Sequence, residues 1–430
     1  MRSIQVAIFE DYAYENFLPM TYTRPAFDLM CGAETFRSRI EKLFCSSEPL
    51  LFTREHLKEY VESREKVHVN KPERIDSTTL FLNGLLIPCK DLVRRLLRVP
   101  EGQIGVNDGR LVYACFAPSK AREFATRLSK PLTSLDVSQF ERSAPSKVEV
   151  RDAQLLTYPW EIIRLNADIL KIDFASLKRS KAGKVHARAT ILGKRNELSI
   201  GSGSTIEPGA VVDTRNGPVY IGLNSTIQSN SWIQGPSYIG SGTQILPSTR
   251  IHEGSSIGDF CIVGGEIERT IVHSYSEVRV GFIGHSYVGE WVVLGTMTTV
   301  SESKDGFGTV EVSAGGQRFD TGETKLGAFI GGYSKTSAAT TISAGKKVGT
   351  ASQLHGMVTE DVPSFTIYDK ILTSKPVEAI FESVVEAHRR LFNMRKVEYT
   401  AADITLLKRV YDLTREERRA AGMAQTRPAI

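Results

Sequence analysis

Arg24 is the side chain in the first part of the chain that is best suited to hold a phosphate group. It stands in Thr23-Arg24-Pro25, within a polar and aromatic loop that follows the apolar run 4–9. A planar guanidinium matches phosphate oxygens with two parallel hydrogen bonds. A surface ion pair with Asp28 is the alternative, so two roles for Arg24 remain open.

Asp11, Asp28 and Asp108 are carboxylates that could ligate Mg²⁺, which prefers oxygen ligands. The alternative is that they are solvated surface acids. No G-x-x-x-x-G-K-[ST] or G-x-G-x-x-G phosphate loop opens the chain. Phosphate chemistry would therefore depend on individually placed side chains.

Short apolar runs alternate with helical patterns in the first part of the chain, 1–175. The runs 4–9, 50–52 and 80–82 read as strands, and 31–44, 89–97 and 119–128 read as helices. This alternation predicts an α/β domain with a mostly parallel sheet. Because such sheets bind ligands beyond the carboxyl ends of their strands, we expect the loop after Phe9 and the pair Asn83-Gly84 at the mouth of a site.

A second region carries a strict six-residue repeat of β-branched residues. Its members are Ile221, Ile227, Ile233, Ile239, Ile245, Ile251, Ile257 and Val263. A helix needs period 3.6 and a half-buried strand period 2, so neither fits. The repeat predicts a β-solenoid in which each unit is a short strand plus a turn and the β-branched side chain points into a narrow core. With interruptions, the pattern extends from Ile191 to Leu354.

Composition excludes several other classes of protein. The chain has 430 residues, 41% hydrophobic and 24% charged, and a formal net charge of +5, which is too mild to indicate a nucleic-acid partner. Five scattered cysteines without a C-x-x-C pair indicate free thiols in a reducing compartment. No apolar run approaches the length of a membrane span. We therefore expect a soluble, cytoplasmic protein that uses neither nucleic acid nor membrane.

The last part of the chain is basic and has apolar residues at helical spacing between 377 and 413. A basic amphipathic helix can meet membranes or acidic partners. The alternative, which we favour, is a solvated face on a helical cap that covers an end of the solenoid.

Several segments resemble one family. Residues 17–28, Phe81-Leu82-Asn83-Gly84, and Tyr158-Pro159-Trp160-Glu161 with Asn166 resemble a branch of the sugar-1-phosphate nucleotidyltransferases. That branch is related to the bifunctional UDP-N-acetylglucosamine pyrophosphorylase/glucosamine-1-phosphate acetyltransferase. Together with the patterns above, the resemblance implies a nucleotidyltransferase-like α/β domain at 1–175, a linker at 176–190, a left-handed parallel β-helix of hexapeptide repeats at 191–356 and a helical tail at 357–430. It also implies a homotrimer.

The resemblance further implies that the N-terminal domain joins a nucleoside triphosphate to a sugar-1-phosphate and releases pyrophosphate, with Mg²⁺. Asn83 stands where many members carry a Mg²⁺-binding Asp, so Asn83 and Asp108 are the implied metal ligands. Arg24 is the implied catalytic residue. The implied substrate contacts are Thr23, Arg24, Asp28, Asn83, Gly84 and Asp108.

In the solenoid, residues 264–268, 281–291 and 325–331 resemble acyltransferases that use acetyl-CoA. The catalytic His of that family aligns with Arg279, which stays protonated and cannot act as a base. Lys325 aligns with a substrate-binding Lys. Two histidines nearby, His285 and His273, are candidates to replace the missing base, and Lys335 is a candidate contact for an anion. The alternative is that all three are ordinary surface side chains. Three functions follow: nucleotidyltransferase, acetyltransferase on a sugar phosphate, or a catalytically inactive trimeric scaffold that binds nucleotide sugars.

Overall fold

The N-terminal domain is built on a sheet of six strands in the order β4-β1-β5-β8-β7-β9. The structure is a computed structural model that describes residues 4–46, 48–128, 130, 145–369 and 375–423. The strands of this domain are β1 Gln5–Phe9, β2 Met30–Cys31, β3 Glu34–Thr35, β4 Leu50–Phe52, β5 Thr79–Asn83, β6 Leu86–Ile87, β7 Gln103–Asn107, β8 Arg110–Phe116, β9 Ser146–Glu149 and β10 Gln154–Leu155. Its helices are α1 Phe36–Leu43, α2 Glu55–Glu65, α3 Lys90–Leu96, α4 Pro118–Arg127 and α5 Pro159–Ser176.

The central strands of this sheet are continuous apolar runs because both faces are covered. β1 pairs in parallel with β4 and β5, whereas β8 is antiparallel to β5 and β7. Every residue of β5 and β8 is buried. Short strands buried on both faces read as uninterrupted hydrophobic segments, which is how the sequence reveals them. The chain passes from β1 to β4 on one side and to β5 on the other, so the switch point lies between β1 and β5.

Helix α5 joins this domain to the solenoid. The side chain of Asn166 accepts a hydrogen bond from the Gly32 amide at 2.6 Å and donates to the Gly254 carbonyl and the Ser256 hydroxyl at 2.9 and 2.8 Å. One buried amide therefore links the two domains. Within the N-terminal domain, a buried ion pair at 2.7 Å between Asp173 of α5 and Arg39 of α1 holds this helix in place.

The solenoid consists of short parallel strands that stack in ladders between residues 184 and 369. They are β11 Lys184–Val185, β12 Thr190–Leu192, β13 Leu198–Ile200, β14 Thr205–Ile206, β15 Val211–Asp213, β16 Val219–Ile221, β17 Thr226–Ile227, β18 Trp232–Gln234, β19 Ser237–Ile239, β20 Gln244–Ile245, β21 Arg250–Ile251, β22 Ser255–Ile257, β23 Ile262–Glu268, β24 Ile271–Val272, β25 Glu277–Gly284, β26 Tyr287–Val288, β27 Val293–Val300, β28 Glu311–Ala314, β29 Gln317–Asp320, β30 Phe329–Ile330, β31 Lys335–Thr336, β32 Thr341–Ile342, β33 Lys347–Val348, β34 Gln353–His355, β35 Met357–Val358 and β36 Thr366–Asp369. The hairpin of β28 and β29 is the exception, because its strands are antiparallel and lie outside the coils.

The six-residue repeat places one β-branched residue on each of three faces, so that three successive repeats make one full coil. On one face Ile221 pairs with Ile239, which pairs with Ile257. All three are completely buried. The ladder of identical side chains forms a continuous core along the solenoid axis, and no single coil can bury its own residues without neighbours.

The C-terminal region is helical, with α6 Phe381–Met394, α7 Ala401–Leu413 and α8 Arg415–Ala420, after a short strand β37 Val377–Glu378. It contacts both other regions. Phe392 of α6 stacks on Trp291 of the solenoid with ring centroids 3.7 Å apart. Arg64 of α2 forms an ion pair with Asp403 of α7 at 2.5 Å. The helical tail therefore contacts both the solenoid and the N-terminal domain and connects them.

The predicted fold class is confirmed: a parallel-rich α/β domain, a β-solenoid of about ten turns at residues 184–369 and a helical C-terminal region. The solenoid strands begin at Lys184 and end at Asp369. Among the described residues, no helix has both the length and the apolar character needed to cross a bilayer.

We predict that Ile239→Ala destabilises the solenoid by about 2–5 kcal/mol, because it removes a fully buried side chain from the middle of the ladder and leaves a cavity. The measurement is guanidinium denaturation followed by circular dichroism. Leu223→Ala is the matched control, since Leu223 is 52% exposed, and should change the free energy of unfolding by no more than about 0.5 kcal/mol. Equal losses for the two variants would contradict the axial core.

Candidate active site

The crevice beyond the carboxyl ends of β1 and β5, where sheets of this kind bind ligands, is filled by the protein's own side chains. Asp11 forms a buried ion pair with Arg110 at 2.9 Å and accepts a hydrogen bond from the amide of Asn83 at 2.9 Å. A Cβ at Gly84 would lie 2.8 Å from the Cβ of Phe27. Phe27 thus packs directly over the turn, and the switch point is closed.

The two implied metal ligands are not arranged for Mg²⁺. Asn83 is completely buried, and its amide group also donates to the Leu111 carbonyl and accepts from the Leu85 amide, both at 2.9 Å. Asp108 is exposed in the turn between β7 and β8. The charge of Asp11, which accepts a hydrogen bond from Asn83, is already neutralised by Arg110. These residues do not fit the open carboxylate set that Mg²⁺ requires.

A buried ion pair shapes the loop after β1. Arg54, just beyond β4, contacts Glu10 at 3.2 Å and donates to the carbonyls of Thr21 and Arg24 at 2.6 and 3.0 Å. Burial by itself would raise the pKa of Glu10, but the charge and hydrogen bonds of Arg54, with the Thr53 hydroxyl and the Ala26 amide, hold it below its usual value. Arg54 therefore fixes the loop that carries Arg24.

Arg24 itself lies at the contact between the N-terminal domain and the solenoid. It is 8% exposed. Its Nη2 donates to a carboxylate oxygen of Glu290 at 2.7 Å, and its Nη1 lies 2.6 Å from Nε2 of His273. The Asp28 carboxylate is not its ion-pair partner; Nη1 reaches only the Asp28 carbonyl, at 3.3 Å. Neighbouring Thr23 is also buried, next to Gly332 of the solenoid.

These residues line a cavity of about 410 Å³, here called the interdomain cavity. Three arginines reach it, Arg24, Arg37 and Arg64, from the N-terminal domain. Four carboxylates reach it as well, and three aromatic side chains of the solenoid form one wall. The lining of the cavity includes Arg24, Asp28, Arg37, Tyr60, Arg64, Glu65, Asp259, Phe260, His273, Tyr275, Glu290 and Trp291.

Asp28 is a buried acid of the interdomain cavity with a raised pKa. Its Oδ1 lies 2.7 Å from Nε of Arg37, an ion-pair distance without the angle of a hydrogen bond. Burial raises the pKa of Asp28 to about 6, although the charge of Arg37 opposes the rise. Arg37 is shared with Glu65, also at 2.7 Å. Asp28 can therefore take up a proton near neutral pH.

His273 takes part in this cavity as a neutral imidazole. Burial, and then the charge of Arg24, hold the pKa of His273 well below its usual value. Its Nε2 lies 3.2 Å from the carbonyl oxygen of Asp28. Burial also raises the pKa of Glu290, against the effect of Arg24. The buried guanidinium, carboxylate and imidazole form one connected group.

The aromatic wall comes from solenoid corners with left-handed backbone. Phe260, Tyr275 and Trp291 have φ values of 56°, 62° and 59°. Tyr275 stacks on Phe260 and on Trp291, with ring centroids 5.1 and 4.5 Å apart. Left-handed φ normally favours Gly or Asn. The ring stack, which continues to Phe392, compensates for this strain, and Phe260 at its other end is exposed.

A second cavity of about 470 Å³ lies beyond the ends of β1 and β4. Tyr14, Arg54, His56 and Lys347 line it, and the guanidinium of Arg54 lies 4.1 Å from the centre of the Tyr14 ring. Burial lowers the pKa of His56 to about 4. Tyr22 lines this second cavity and Arg24 the interdomain cavity, so the segment between them separates the two.

The acyltransferase-like residues form a separate cluster on the solenoid. Nδ1 of His285 lies 2.7 Å from Glu302, whose other oxygen is 2.6 Å from the ammonium of Lys325. Burial would raise the pKa of Glu302, but the hydrogen bonds from His285 and Lys325 hold it below its usual value. Glu268, His285 and Glu302 bring three potential metal-ligand atoms within 4.8 Å of one another. The Lys325 ammonium, 3.6 Å from Glu268, already supplies a cation there.

Two predicted site residues lie elsewhere. Arg279 is exposed and forms an ion pair with Glu277 at 2.5 Å. Lys335 of β31 lines neither cavity; burial lowers its pKa to about 8. The structure thus brings Arg24, Asp28 and His273 together, brings His285 and Lys325 together, and keeps these two groups apart from Asn83, Asp108, Arg279 and Lys335.

Sequence reasoning missed Arg37, Arg64, Glu290 and Glu302. Arg37 belongs to no motif. Glu290 and Trp291 stood in a segment quoted for the family resemblance, yet nothing in the sequence paired them with Arg24. Their roles depend on contacts between segments that are far apart in the chain, as the 266-residue separation of Arg24 and Glu290 illustrates.

Comparison with known proteins agrees with the resemblance. Residues 6–182 match the family model of the sugar nucleotidyl transferases. A bifunctional sugar-1-phosphate nucleotidylyltransferase/acetyltransferase of Sulfurisphaera tokodaii is 30% identical over 126 residues, which is 29% of this chain. The match spans 30% of the length of that relative. The suspected resemblance is thereby confirmed.

Solved structures of UDP-N-acetylglucosamine acyltransferases are similar in architecture. The Francisella novicida protein is 14% identical, with 55% of this chain and 90% of that one covered and a TM-score of 0.30. The protein of Campylobacter jejuni is 14% identical, with 54% and 83% covered and a TM-score of 0.22. TM-scores this low carry no argument about this chain.

We predict that the stability difference between wild type and Asp28→Asn depends on pH. The folded state holds the Asp28 proton up to a pKa of about 6, against a usual 3.8, so the folded state binds more protons than the unfolded state between these values. Protonation of Asp28 therefore supports folding below about pH 4, and this support is lost as the pH rises through about 6.

The variant lacks this titration. Its free energy of unfolding relative to wild type should rise by up to about 2–3 kcal/mol across the window, measured by urea denaturation. Glu65→Gln, at a largely exposed partner of the same Arg37, serves as the control and should show a smaller change. A pH-independent difference for Asp28→Asn would contradict the raised pKa.

Proposed function

We propose that this protein is a sugar-1-phosphate nucleotidyltransferase of the pyrophosphorylase type, which makes UDP-N-acetylglucosamine or a related nucleotide sugar. The match of residues 6–182 to the sugar nucleotidyl transferases supports the reaction class. The observation that carries the proposal is the interdomain cavity, where Arg24, Arg37 and Arg64 meet an aromatic wall.

The lining of this cavity suits a phosphorylated sugar. Arginine forks bind phosphate oxygens in bidentate fashion. The carboxylates of Asp28, Glu65 and Asp259 are acceptors for sugar hydroxyls, and the aromatic rings can cover the apolar face of a sugar. A volume of about 410 Å³ is within the range of small-molecule sites. The near balance of positive and negative groups favours a ligand with one anionic end and several hydroxyls.

In the proposed reaction, a phosphate oxygen of the sugar-1-phosphate attacks the α-phosphorus of the triphosphate and pyrophosphate leaves. The protein's contribution to such a transfer is alignment and charge neutralisation. Arg24, fixed by Glu290 and His273, would orient the sugar phosphate. The second cavity, with Tyr14, Arg54 and Lys347, is the place we assign to the nucleotide. Mg²⁺ enters as the partner of the triphosphate, since Asn83 and Asp108 do not form a site for it.

We predict that the protein with Mg²⁺, UTP and N-acetylglucosamine-1-phosphate releases pyrophosphate, and that Arg24→Lys lowers kcat/KM by about tenfold to a hundredfold. The lysine keeps the charge near Glu290 but loses the bidentate fork. The measurement is a coupled pyrophosphate assay. Arg98→Lys, at an exposed arginine outside both cavities, should leave kcat/KM within about twofold.

Absence of pyrophosphate release from every common pair of triphosphate and sugar-1-phosphate would sink the proposed activity. Thermal stabilisation by UDP-sugars without turnover would then favour the non-catalytic alternative, a trimeric scaffold that binds nucleotide sugars. The closed crevice at Asn83 and Phe27 is the feature that favours this alternative.

A second candidate function is acetyl transfer to an amino-sugar phosphate, favoured by the geometry of His285 and Glu302. A carboxylate on Nδ1 fixes the imidazole so that Nε2 can act as a general base. Among the described residues, Nε2 of His285 has no hydrogen-bond partner. The amine nitrogen would attack the thioester carbon of acetyl-CoA, Nε2 would take the amine proton and pass it to the departing sulfur, and CoA would leave as the thiol. Lys325 would bind the phosphate of the acceptor.

If acetyl transfer occurs, His285→Asn should lower thiol release from acetyl-CoA and glucosamine-1-phosphate by about a hundredfold or more. Asn tolerates the left-handed backbone of His285, whose φ is 45°, so the coil is preserved. His252 forms a similar pair with Glu266 at 2.8 Å, and His252→Asn is the matched control. An unchanged rate in His285→Asn would remove this residue from the role.

Two further parts of the proposal concern the state of the protein. We propose a cytoplasmic homotrimer, for which the resemblance and the five free cysteines are the support. Sedimentation equilibrium tests the trimer directly, because it measures the mass of the assembly; the mass of a single chain would contradict the trimer.

A further inference from the structure

The first coil of the solenoid is the most positively charged part of the chain. Between residues 174 and 196 there are seven Lys or Arg side chains and no Asp or Glu: Lys178, Arg179, Lys181, Lys184, Arg188, Lys194 and Arg195. The whole chain has a formal charge of +5, so the remaining residues together carry −2. The positive excess of the protein is therefore confined to one end of the solenoid.

These cations are largely uncompensated. Lys194 pairs with Glu197 at 3.6 Å, and the guanidinium of Arg179 lies over the ring of Phe174. The other five form no ion pair with any described residue. Lys181, Lys184 and Arg188 are exposed. A solvated basic loop would look similar, but here the charges surround an apolar groove.

That groove, of about 370 Å³, is the open end of the axial core. Val185, Ala189, Ile191, Leu198 and Ile200 line it. Val185 is 43% exposed, whereas the residues that follow it in the same ladder, Ile206 and Ile227, are buried. The last coils are covered by the C-terminal helices, but the first coil has no such cover among the described residues. Solenoids need both ends covered.

The first coil also has free strand edges. β11 pairs with β14 and β12 with β15, in both cases on the side of the second coil. On the outer side, no strand of the described residues pairs with them. An exposed strand edge is a template for another extended segment. The edges, the groove and the charges all occur on the same coil.

We propose that this coil is a docking site for an extended acidic segment of a partner protein, which places an apolar side chain in the groove. Backbone pairing along the edges of β11 and β12 would hold the segment, and its carboxylates would face Lys181, Lys184 and Arg188. The site is independent of the proposed nucleotidyl transfer, because none of its residues lines the interdomain cavity.

Other anionic partners fit less well. A bilayer surface cannot enter a recessed groove. Nucleic acid binds through base stacking as well as charge, and residues 175–200 contain no Phe, Tyr or Trp. A second copy of this coil related by a twofold axis would bring like charges together. The combination of groove, free edges and cations is specific to an acidic, partly apolar chain.

The test is fluorescence anisotropy with a labelled peptide of about ten residues in which Glu and Val alternate, the pattern of an added strand. The full-length protein should bind it saturably, and about 0.5 M NaCl should weaken binding. The triple variant Lys181→Glu, Lys184→Glu, Arg188→Glu should lose about tenfold or more in affinity. The control Arg74→Glu, Lys90→Glu, Arg98→Glu has the same change of charge on exposed side chains elsewhere and should bind as wild type does.

Several results would overturn the inference. Equal losses in the two triple variants would mean non-specific attraction, and equal binding of a Glu-Ser peptide would mean that the groove takes no part. Failure of the Glu-Val peptide to bind would also refute it. The inference would also fail if the protein sediments with vesicles of about 30% phosphatidylserine, if only the first triple variant loses this binding, and if the peptide does not inhibit it. In that case the surface binds lipid. Thermal melting of both variants at the wild-type temperature shows that folding is intact.

Discussion

The axial core of the solenoid is the constraint on which the rest of the molecule depends. Each coil buries one β-branched residue per face only because the coils above and below supply the other walls, as for Ile239 between Ile221 and Ile257. Burial of this kind is worth about 1.5–3 kcal/mol for each side chain. Such a core is complete in the middle and incomplete at its ends. The helical tail at one end and the open basic coil at the other are two outcomes of the same requirement.

A buried ion pair then helps to determine how the N-terminal domain sits on this core. Arg24 of that domain and Glu290 of the solenoid place opposite charges where water is largely excluded, and Arg39 with Asp173 does the same inside the domain. Such pairs stabilise little relative to apolar contacts, but the loss of one partner is costly because a buried charge is left alone. Their main effect is therefore on how the packed elements are positioned and oriented relative to one another. At Arg24, the same arrangement leaves a polar cavity of about 410 Å³ at the domain boundary.

The sequence predicted the fold well where one physical rule dominated. A six-residue period has a single structural solution, and the buried isoleucines lie on the predicted ladders. It predicted the site less well. As the alternative to phosphate binding, the sequence offered Arg24 an ion pair with nearby Asp28, whereas the carboxylate that it contacts is Glu290 of the solenoid. Tyr275 and Trp291 occupy left-handed corners that local preference assigns to Gly or Asn, and only the ring stack with Phe392 explains them. Contacts between distant segments leave no local signal.

The parallel stacking of the coils has a consequence for distance. Along the ladder from Val185 through Ile206, Ile227 and Ile245 to Val263 there are four steps, each of about 4.8 Å. The coils thus act as a rigid spacer of about 19 Å between the basic end and the coil that carries Asp259 and Phe260. Because three repeats make one turn, evolution can lengthen or shorten this spacer only in whole turns without turning core residues outward. A partner bound at the basic end would therefore lie at a distance from the coil of Asp259 and Phe260 that can change only in steps of one coil.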